Sequence, residues 1–102
     1  MGSGSITGSN PNGAVAVTVV HAPACHFCDD ALDALRRLSQ QYPLTVATVA
    51  ADSPEGERLV RVHAAGMFPL VLVDGRFFSQ GRLPRGKLRK LLGTRTSPVA
   101  VV

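Results

Sequence analysis

The sequence contains two cysteines, Cys25 and Cys28, which enclose His26 and Phe27. Two intervening residues is the spacing of redox-active pairs and of metal-binding pairs, because it brings both side chains to about one turn of a helix. A disulfide that closes so short a loop restricts little of the unfolded chain and therefore contributes little to stability. The spacing indicates redox chemistry or metal binding, and not a structural crosslink.

The position of the pair favours thiol–disulfide exchange. An apolar run at residues 14–20 predicts a strand buried on both faces, and residues 25–41 predict a helix, so Cys25 falls at a strand-to-helix junction. The unpaired N–H groups and the dipole at a helix N-terminus favour an anion, which lowers the pKa of a thiol there. We expect Cys25 to attack a disulfide first and Cys28 to resolve the mixed disulfide.

Two other interpretations of the pair are weaker. A structural Zn²⁺ site needs about four ligands, and beyond the cysteines only His21, His26 and His63 could contribute. Buried cysteines without a chemical role would have to fall at this spacing and at this junction by chance. We therefore predict no metal site.

Apolar and capping patterns predict the elements that would position the pair. We predict strands at residues 14–20, 44–49, 70–73 and 76–79, and helices at residues 25–41, 54–65 and 84–92. We expect Leu59 and Val62 to face inward and Gly93 to close the last helix. Asp74-Gly75 is a hairpin signal. The order predicts an α/β fold of the βαβ-α-ββ-α type, a four-stranded mixed sheet with helices on both faces.

Length and composition fit one globular domain. The chain has 102 residues, of which 45% are hydrophobic and 18% are charged. We interpret residues 1–13 as a flexible leader or tag, residues 14–93 as the domain, and residues 94–102 as a tail that is either loose or added to a sheet edge. No run of about 18 apolar residues and no signal-peptide pattern is present, so we expect a cytoplasmic monomer without membrane contact.

The net charge of +4 arises from a basic region near the C-terminus. Between Arg76 and Arg95 there are seven basic residues and no acidic residue. Such a region can attract nucleic acid, but a solvated helix face is the simpler interpretation. We do not expect nucleic acid as a partner.

Three motifs together resemble the thioredoxin-like proteins. The Cys-x-x-Cys motif follows the first predicted strand, Met67-Phe68-Pro69 opens the third, and the Asp-Gly turn joins the third to the fourth. The resemblance covers residues 14–93. It implies a thioredoxin fold in which the bond before Pro69 is cis and Pro69 faces the active disulfide; an ordinary proline at a strand start is the alternative.

The resemblance is divided between two branches of that family. Two features are similar to glutaredoxins. The first strand leads directly into the cysteines, and Val19 replaces the buried carboxylate that thioredoxins have at this position. The segment GRLPRGKL at residues 81–88 is similar to the ending of thioredoxins. Glutaredoxins hold glutathione through acidic residues after a Gly-Gly pair, and residues 79–82 (SQGR) contain none. We expect no cofactor beyond the redox-active disulfide, with glutathione as the open alternative.

Four residues near the cysteines are predicted to bind substrate. Phe68 and Pro69 would line the cleft beside the disulfide, and Phe27 would lie at its rim. A protonated His26 beside the nucleophile would stabilise the thiolate and make the disulfide more oxidising. The alternatives are a plain exposed His26 and aromatic side chains that only pack.

These features predict an enzyme, a dithiol–disulfide oxidoreductase of glutaredoxin-like or thioredoxin-like type, acting in electron transport and cell redox homeostasis. Its substrates would be protein disulfides, exchanged through Cys25 and Cys28. Electrons would come from a thioredoxin-reductase-type enzyme or a small thiol, because no Gly-rich dinucleotide-binding motif is present. Three alternatives stay open: glutathione-dependent glutaredoxin activity, an iron–sulfur or metal carrier that holds a cluster between two chains, and a redox-inactive interaction module.

Overall fold

A computed structural model describes the backbone of residues 14–96 and the side chains of residues 14–94. Its elements in chain order are β1 (Val15–His21), α1 (His26–Leu38), β2 (Leu44–Ala50), α2 (Pro54–Val62), β3 (Leu70–Val73), β4 (Arg76–Gln80) and α3 (Arg85–Thr96). The predicted leader at residues 1–13 and the end of the predicted tail at residues 97–102 lie outside the described residues.

Within residues 14–96 the strands form one four-stranded mixed sheet in the order β2-β1-β3-β4, as predicted. β1 and β2 are parallel, as strands joined by a helical crossover can be, and β3 is antiparallel to both β1 and β4. The register places Leu70, the first residue of β3, opposite Val20 near the end of β1. The start of β3 therefore lies at the end of the sheet from which the chain enters α1.

Helices cover both faces of the sheet, which confirms the predicted layers. α1 and α3 pack on one face, where Leu35 and Leu88 are fully buried in the larger core cluster. α2 packs on the other face. The smaller cluster there consists of Val20, Leu59, Leu70 and Leu72.

Two local signals from the sequence are also confirmed. The Ser53 side chain accepts a hydrogen bond from the backbone N–H of Gly56 at 3.0 Å and so caps α2, with Pro54 in the first turn. Asp74 and Gly75 have φ angles of 51° and 82°, the positive values that a two-residue hairpin turn of this kind requires.

Two predictions about helices are wrong. Val62 is 62% exposed, because α2 turns Gly56 and Leu59 toward the sheet and Val62 lies roughly a third of a turn away from Gly56 around the helix axis. Gly93 does not close α3, which continues to Thr96. A glycine inside a helix costs only about 1 kcal/mol, and the burial of Leu88 and Leu92 in the two turns before Gly93 can offset this cost.

The strands are less buried than their apolar sequences predict. β1 is only half-buried at Ala16 and Thr18, because α2 has nine residues and covers part of its face. β2 is an edge strand of the described sheet, and Val46 is 37% exposed. An apolar run by itself does not distinguish a central strand from an edge strand.

Candidate active site

Cys25 is the N-cap residue of α1, as predicted. Its backbone is extended, with φ −109° and ψ 107°, and its carbonyl accepts hydrogen bonds from the N–H groups of Cys28 and Asp29, both at 3.2 Å. Its Sγ accepts a hydrogen bond from the N–H of Cys28 at 3.1 Å. The sulfur therefore lies where a helix offers unpaired donors to an anion.

Cys28 lies one turn into α1 and forms a disulfide with Cys25, with 5.2 Å between the two Cα atoms. Cys28 is 2% exposed, because it begins the buried stripe of α1 that continues through Ala31 and Leu35. Cys25 is only half-buried. A sulfur from outside the protein can therefore approach Cys25 and not Cys28.

A tight turn brings the chain from β1 to the cysteines. Ala24, directly before Cys25, has a φ of 53°, in the left-handed region that a residue with a Cβ seldom occupies. The sequence did not indicate this turn, because alanine carries no preference for that conformation. The turn sets the direction in which Cys25 enters α1.

The Phe68–Pro69 peptide bond is cis, as the resemblance implies. Pro69 is fully buried, and its carbonyl accepts a hydrogen bond from the N–H of Gly81 at 3.0 Å. Because β3 begins beside the end of β1, Pro69 lies at the same end of the sheet as the disulfide. The fold thus brings together two motifs that are far apart in sequence.

The loop before Pro69 is attached to the end of β4 by a side chain. The Oε1 atom of Gln80 accepts hydrogen bonds from the backbone N–H groups of Gly66, at 2.7 Å, and Met67, at 3.0 Å. In the sequence, Gln80 belongs to a segment (SQGR, residues 79–82) that is distinguished only by its lack of an acid. The one sequence signal for this contact is a long polar side chain directly before a glycine. That glycine, Gly81, has a φ of 79°.

The other predicted site residues differ in burial. His26 and Phe27, in the first turn of α1, are exposed, and Phe27 keeps 47% of its surface open to solvent. Phe68 is half-buried and packs against the smaller core cluster. Their roles in substrate binding stay predictions.

An ion pair joins the second turn of α1 to the first residue of α3. Arg85 Nη2 donates a hydrogen bond to Asp30 Oδ1 at 2.9 Å, and the two side chains are 49% and 45% exposed. The sequence suggested only that the acidic residues of α1 face solvent near a helix N-terminus. Asp30 instead pairs with Arg85, which lies within the basic region.

Two residues with shifted pKa values lie on the opposite face of the sheet from α1. A hydrogen bond from the Arg58 side chain holds the pKa of Glu55 below its ordinary value, and Glu55 raises the pKa of Arg58. Both residues belong to α2 and are exposed. The shifts come from a local pair on the helix surface and not from the site around the cysteines.

The arrangement can carry two electrons by making and breaking the bond between Cys25 and Cys28.

Among residues 14–96, no three His, Cys, Asp or Glu side chains lie together in a group that could hold a metal ion. No helix within the same residues has the length and apolar character needed to cross a membrane.

Comparison with known proteins identifies the fold. No protein-family model and no curated protein matches the chain. Solved structures do match. A mutant thioredoxin from Halobacterium salinarum NRC-1 has a TM-score of 0.63 at 20% identity, over 83% of this chain and 77% of that one.

Two further structures are similar to the same extent. For an uncharacterized thioredoxin-like protein from Clostridium perfringens the TM-score is 0.66 at 13% identity, over 82% of this chain and 72% of that one. For thioredoxin O2 from Arabidopsis thaliana in its oxidised state the TM-score is 0.61 at 16% identity, over 81% of this chain and 76% of that one. The chain therefore has the thioredoxin fold that its sequence predicts.

Proposed function

We propose that this protein is a dithiol–disulfide oxidoreductase that exchanges disulfides with other proteins through Cys25 and Cys28. One observation carries the proposal. On a thioredoxin fold, a half-buried sulfur at a helix N-cap receives a backbone hydrogen bond and is bonded to a second, buried sulfur one turn further on. This is the arrangement that an attacking and a resolving cysteine require.

The exchange proceeds in two displacements. The Cys25 thiolate, stabilised by the helix N-terminus, attacks one sulfur of a substrate disulfide. A bond forms between Cys25 and that sulfur, the substrate disulfide breaks, and its leaving sulfur takes up a proton. Cys28 then loses its proton and attacks Cys25 Sγ, which forms the internal disulfide and releases the second substrate thiol. Two electrons pass from the protein to the substrate. An external donor then supplies two electrons that reduce the Cys25–Cys28 disulfide again.

We further propose a thioredoxin-reductase-type enzyme or a dithiol as the donor, in the reducing environment of the cytoplasm. Support comes from residues 79–82 (SQGR), which contain no carboxylate to hold the amine of glutathione. The one long neutral side chain among them, that of Gln80, bonds to the protein's own backbone.

Reduction of insulin disulfides tests the proposal. With dithiothreitol as donor, the wild-type protein is expected to accelerate the precipitation of the reduced insulin chain, and a variant with both Cys25→Ser and Cys28→Ser is expected to leave the rate at its background. Glutathione at equal thiol concentration is expected to support slower turnover. A wild-type protein without effect under either donor would contradict the activity.

Two other outcomes would favour the alternatives. Faster turnover with glutathione than with dithiothreitol would favour glutathione-dependent activity. A purified protein that is coloured and contains iron in proportion to a two-chain assembly would favour a cluster carrier.

A further inference from the structure

We propose that Gln80 is a positioning residue, which holds the loop before Pro69 in the conformation that binds protein disulfides. The inference rests on the proposed function, because it assigns a residue to the binding of that substrate class. It starts from a contact between a side chain at the end of β4 and the backbone of a loop 13 and 14 residues earlier in the chain.

The contact has the geometry of a clamp. A single oxygen, Gln80 Oε1, accepts from two successive N–H groups, those of Gly66 at 2.7 Å and Met67 at 3.0 Å. An amide oxygen has two lone pairs, so it can satisfy both donors at once. Both distances fall within the range of ordinary protein hydrogen bonds.

The next residue of the chain holds the other side of the same loop. Gly81 donates its N–H to the carbonyl of Pro69 at 3.0 Å. Gln80 and Gly81 therefore fix the loop on both sides of Phe68. The side chain of Gln80 holds Gly66 and Met67, and the backbone of Gly81 holds Pro69. A Cβ on Gly81 would lie 3.0 Å from the Met67 Cε atom, so Met67 also packs over this point.

The attachment lies at the end of the sheet that carries the disulfide, where a protein substrate must make contact. Met67 is 54% exposed and Phe27 is 47% exposed, so both offer apolar surface to a partner. A protein disulfide has to fit this surface as well as reach Cys25, whereas a small disulfide needs to reach Cys25 alone. If the loop is ordered only part of the time, the apparent affinity for a protein substrate falls in proportion.

The two bonds are exposed, so water can hydrogen-bond to the Gly66 and Met67 N–H groups when the Gln80 oxygen is removed. The loop lies between α2 and β3 and belongs to neither element. Loss of the clamp should therefore free the loop locally without unfolding the domain. This separation makes the role of Gln80 testable by substitution.

The kinetic test compares three variants. Gln80→Met keeps the length of the side chain and removes the oxygen, Gln80→Glu keeps an acceptor, and Gln40→Met is a matched control at an exposed glutamine after α1. Gln80→Met is expected to raise KM for insulin about 3–10-fold, the effect of losing about one net hydrogen bond, with kcat unchanged. Its rate with cystamine, a small disulfide, should stay at that of wild type. Gln80→Glu and Gln40→Met should retain the wild-type KM for insulin.

Exchange of the Gly66 and Met67 amide protons with water, measured by NMR, tests the clamp independently of activity. Gln80→Met should speed both about 3–10-fold and Gln80→Glu should not. Unchanged exchange in Gln80→Met, or an unchanged KM for insulin, would overturn the inference. A wild-type protein that is inactive on insulin would overturn the proposed function and the role of Gln80 in substrate binding, and the exchange rates would still show whether the clamp exists.

Discussion

The backbone N–H of Cys28 donates a hydrogen bond to the Sγ of Cys25 at 3.1 Å. The two sulfurs therefore have different surroundings. The Cys25 sulfur lies beside a donor at a helix N-terminus, whereas Cys28 is 2% exposed and lies among apolar side chains. A donor favours a thiolate over a thiol, whereas apolar burial disfavours it. The two cysteines are therefore unequal, although they share one disulfide.

This inequality predicts opposite phenotypes for the two serine variants. Cys25→Ser should abolish insulin reduction, because the buried Cys28 cannot reach an external disulfide. Cys28→Ser should still attack through Cys25 and accumulate mixed disulfides, because nothing resolves them. Mass spectrometry of the proteins after incubation with oxidised insulin measures both. Trapped insulin on Cys25→Ser and none on Cys28→Ser would show that the roles are reversed.

His26 should tune the reactivity of Cys25 by a small amount. An exposed charge beside a partly exposed sulfur contributes about 1 kcal/mol or less, which is below one pKa unit. His26→Ala should therefore raise the Cys25 pKa by less than about one unit and make the couple more reducing by up to about 20 mV.

Thiolate absorbance against pH in the reduced proteins measures this effect. Phe27→Ala is the matched control, because it changes a neighbouring exposed side chain and no charge. An unchanged Cys25 pKa in His26→Ala would mean that the helix terminus alone sets the reactivity of Cys25.

Two glycines in helices should respond in opposite ways to alanine. A Cβ on Gly56 would overlap the Ala50 carbonyl and lie 2.9 Å from the Ala51 Cα atom, so Gly56→Ala must move α2 away from the end of β2. Backbone shifts of this kind cost about 1–3 kcal/mol. A Cβ on Gly93 would meet no atom of the described residues within 4 Å, so Gly93→Ala should stabilise α3 by about 0.5–1 kcal/mol.

Urea unfolding of the two variants and of wild type measures both changes in the free energy of unfolding. The pair is informative because the chemical change is the same and only the surroundings differ. A Gly93→Ala variant less stable than wild type would indicate that the helix ends at Gly93, as its sequence suggested, and does not continue to Thr96.

The features that the sequence predicted correctly depend on local physics. The strand-to-helix junction, the N-cap position of Cys25 and the Ser53 cap each follow from a few adjacent residues. The turn at residues 74 and 75 is equally local, since only some residue types tolerate positive φ. The cis bond before Pro69 is different, because it came from the resemblance and not from the residues themselves.

The features that were missed depend on contacts between distant parts of the chain. Gln80 meets a loop 13 and 14 residues away, and Asp30 meets Arg85 across 55 positions. Neither contact leaves a pattern within one element, so periodicity cannot indicate it. The exposure of Val46 follows in the same way from the place of β2 at the sheet edge, which depends on the pairing order and not on the composition of the strand.

Redox equilibration of the Cys25–Cys28 couple tests the proposed function most directly. The protein is equilibrated in mixtures of reduced and oxidised dithiothreitol and of reduced and oxidised glutathione, the free thiols are alkylated, and the alkylated fraction of each cysteine is measured by mass spectrometry. We predict that both cysteines become protected together in one two-electron transition, with a tenfold change in the ratio of oxidised to reduced protein for each ~30 mV. A pair that does not exchange with any of these buffers, or two cysteines that react independently, would contradict the account.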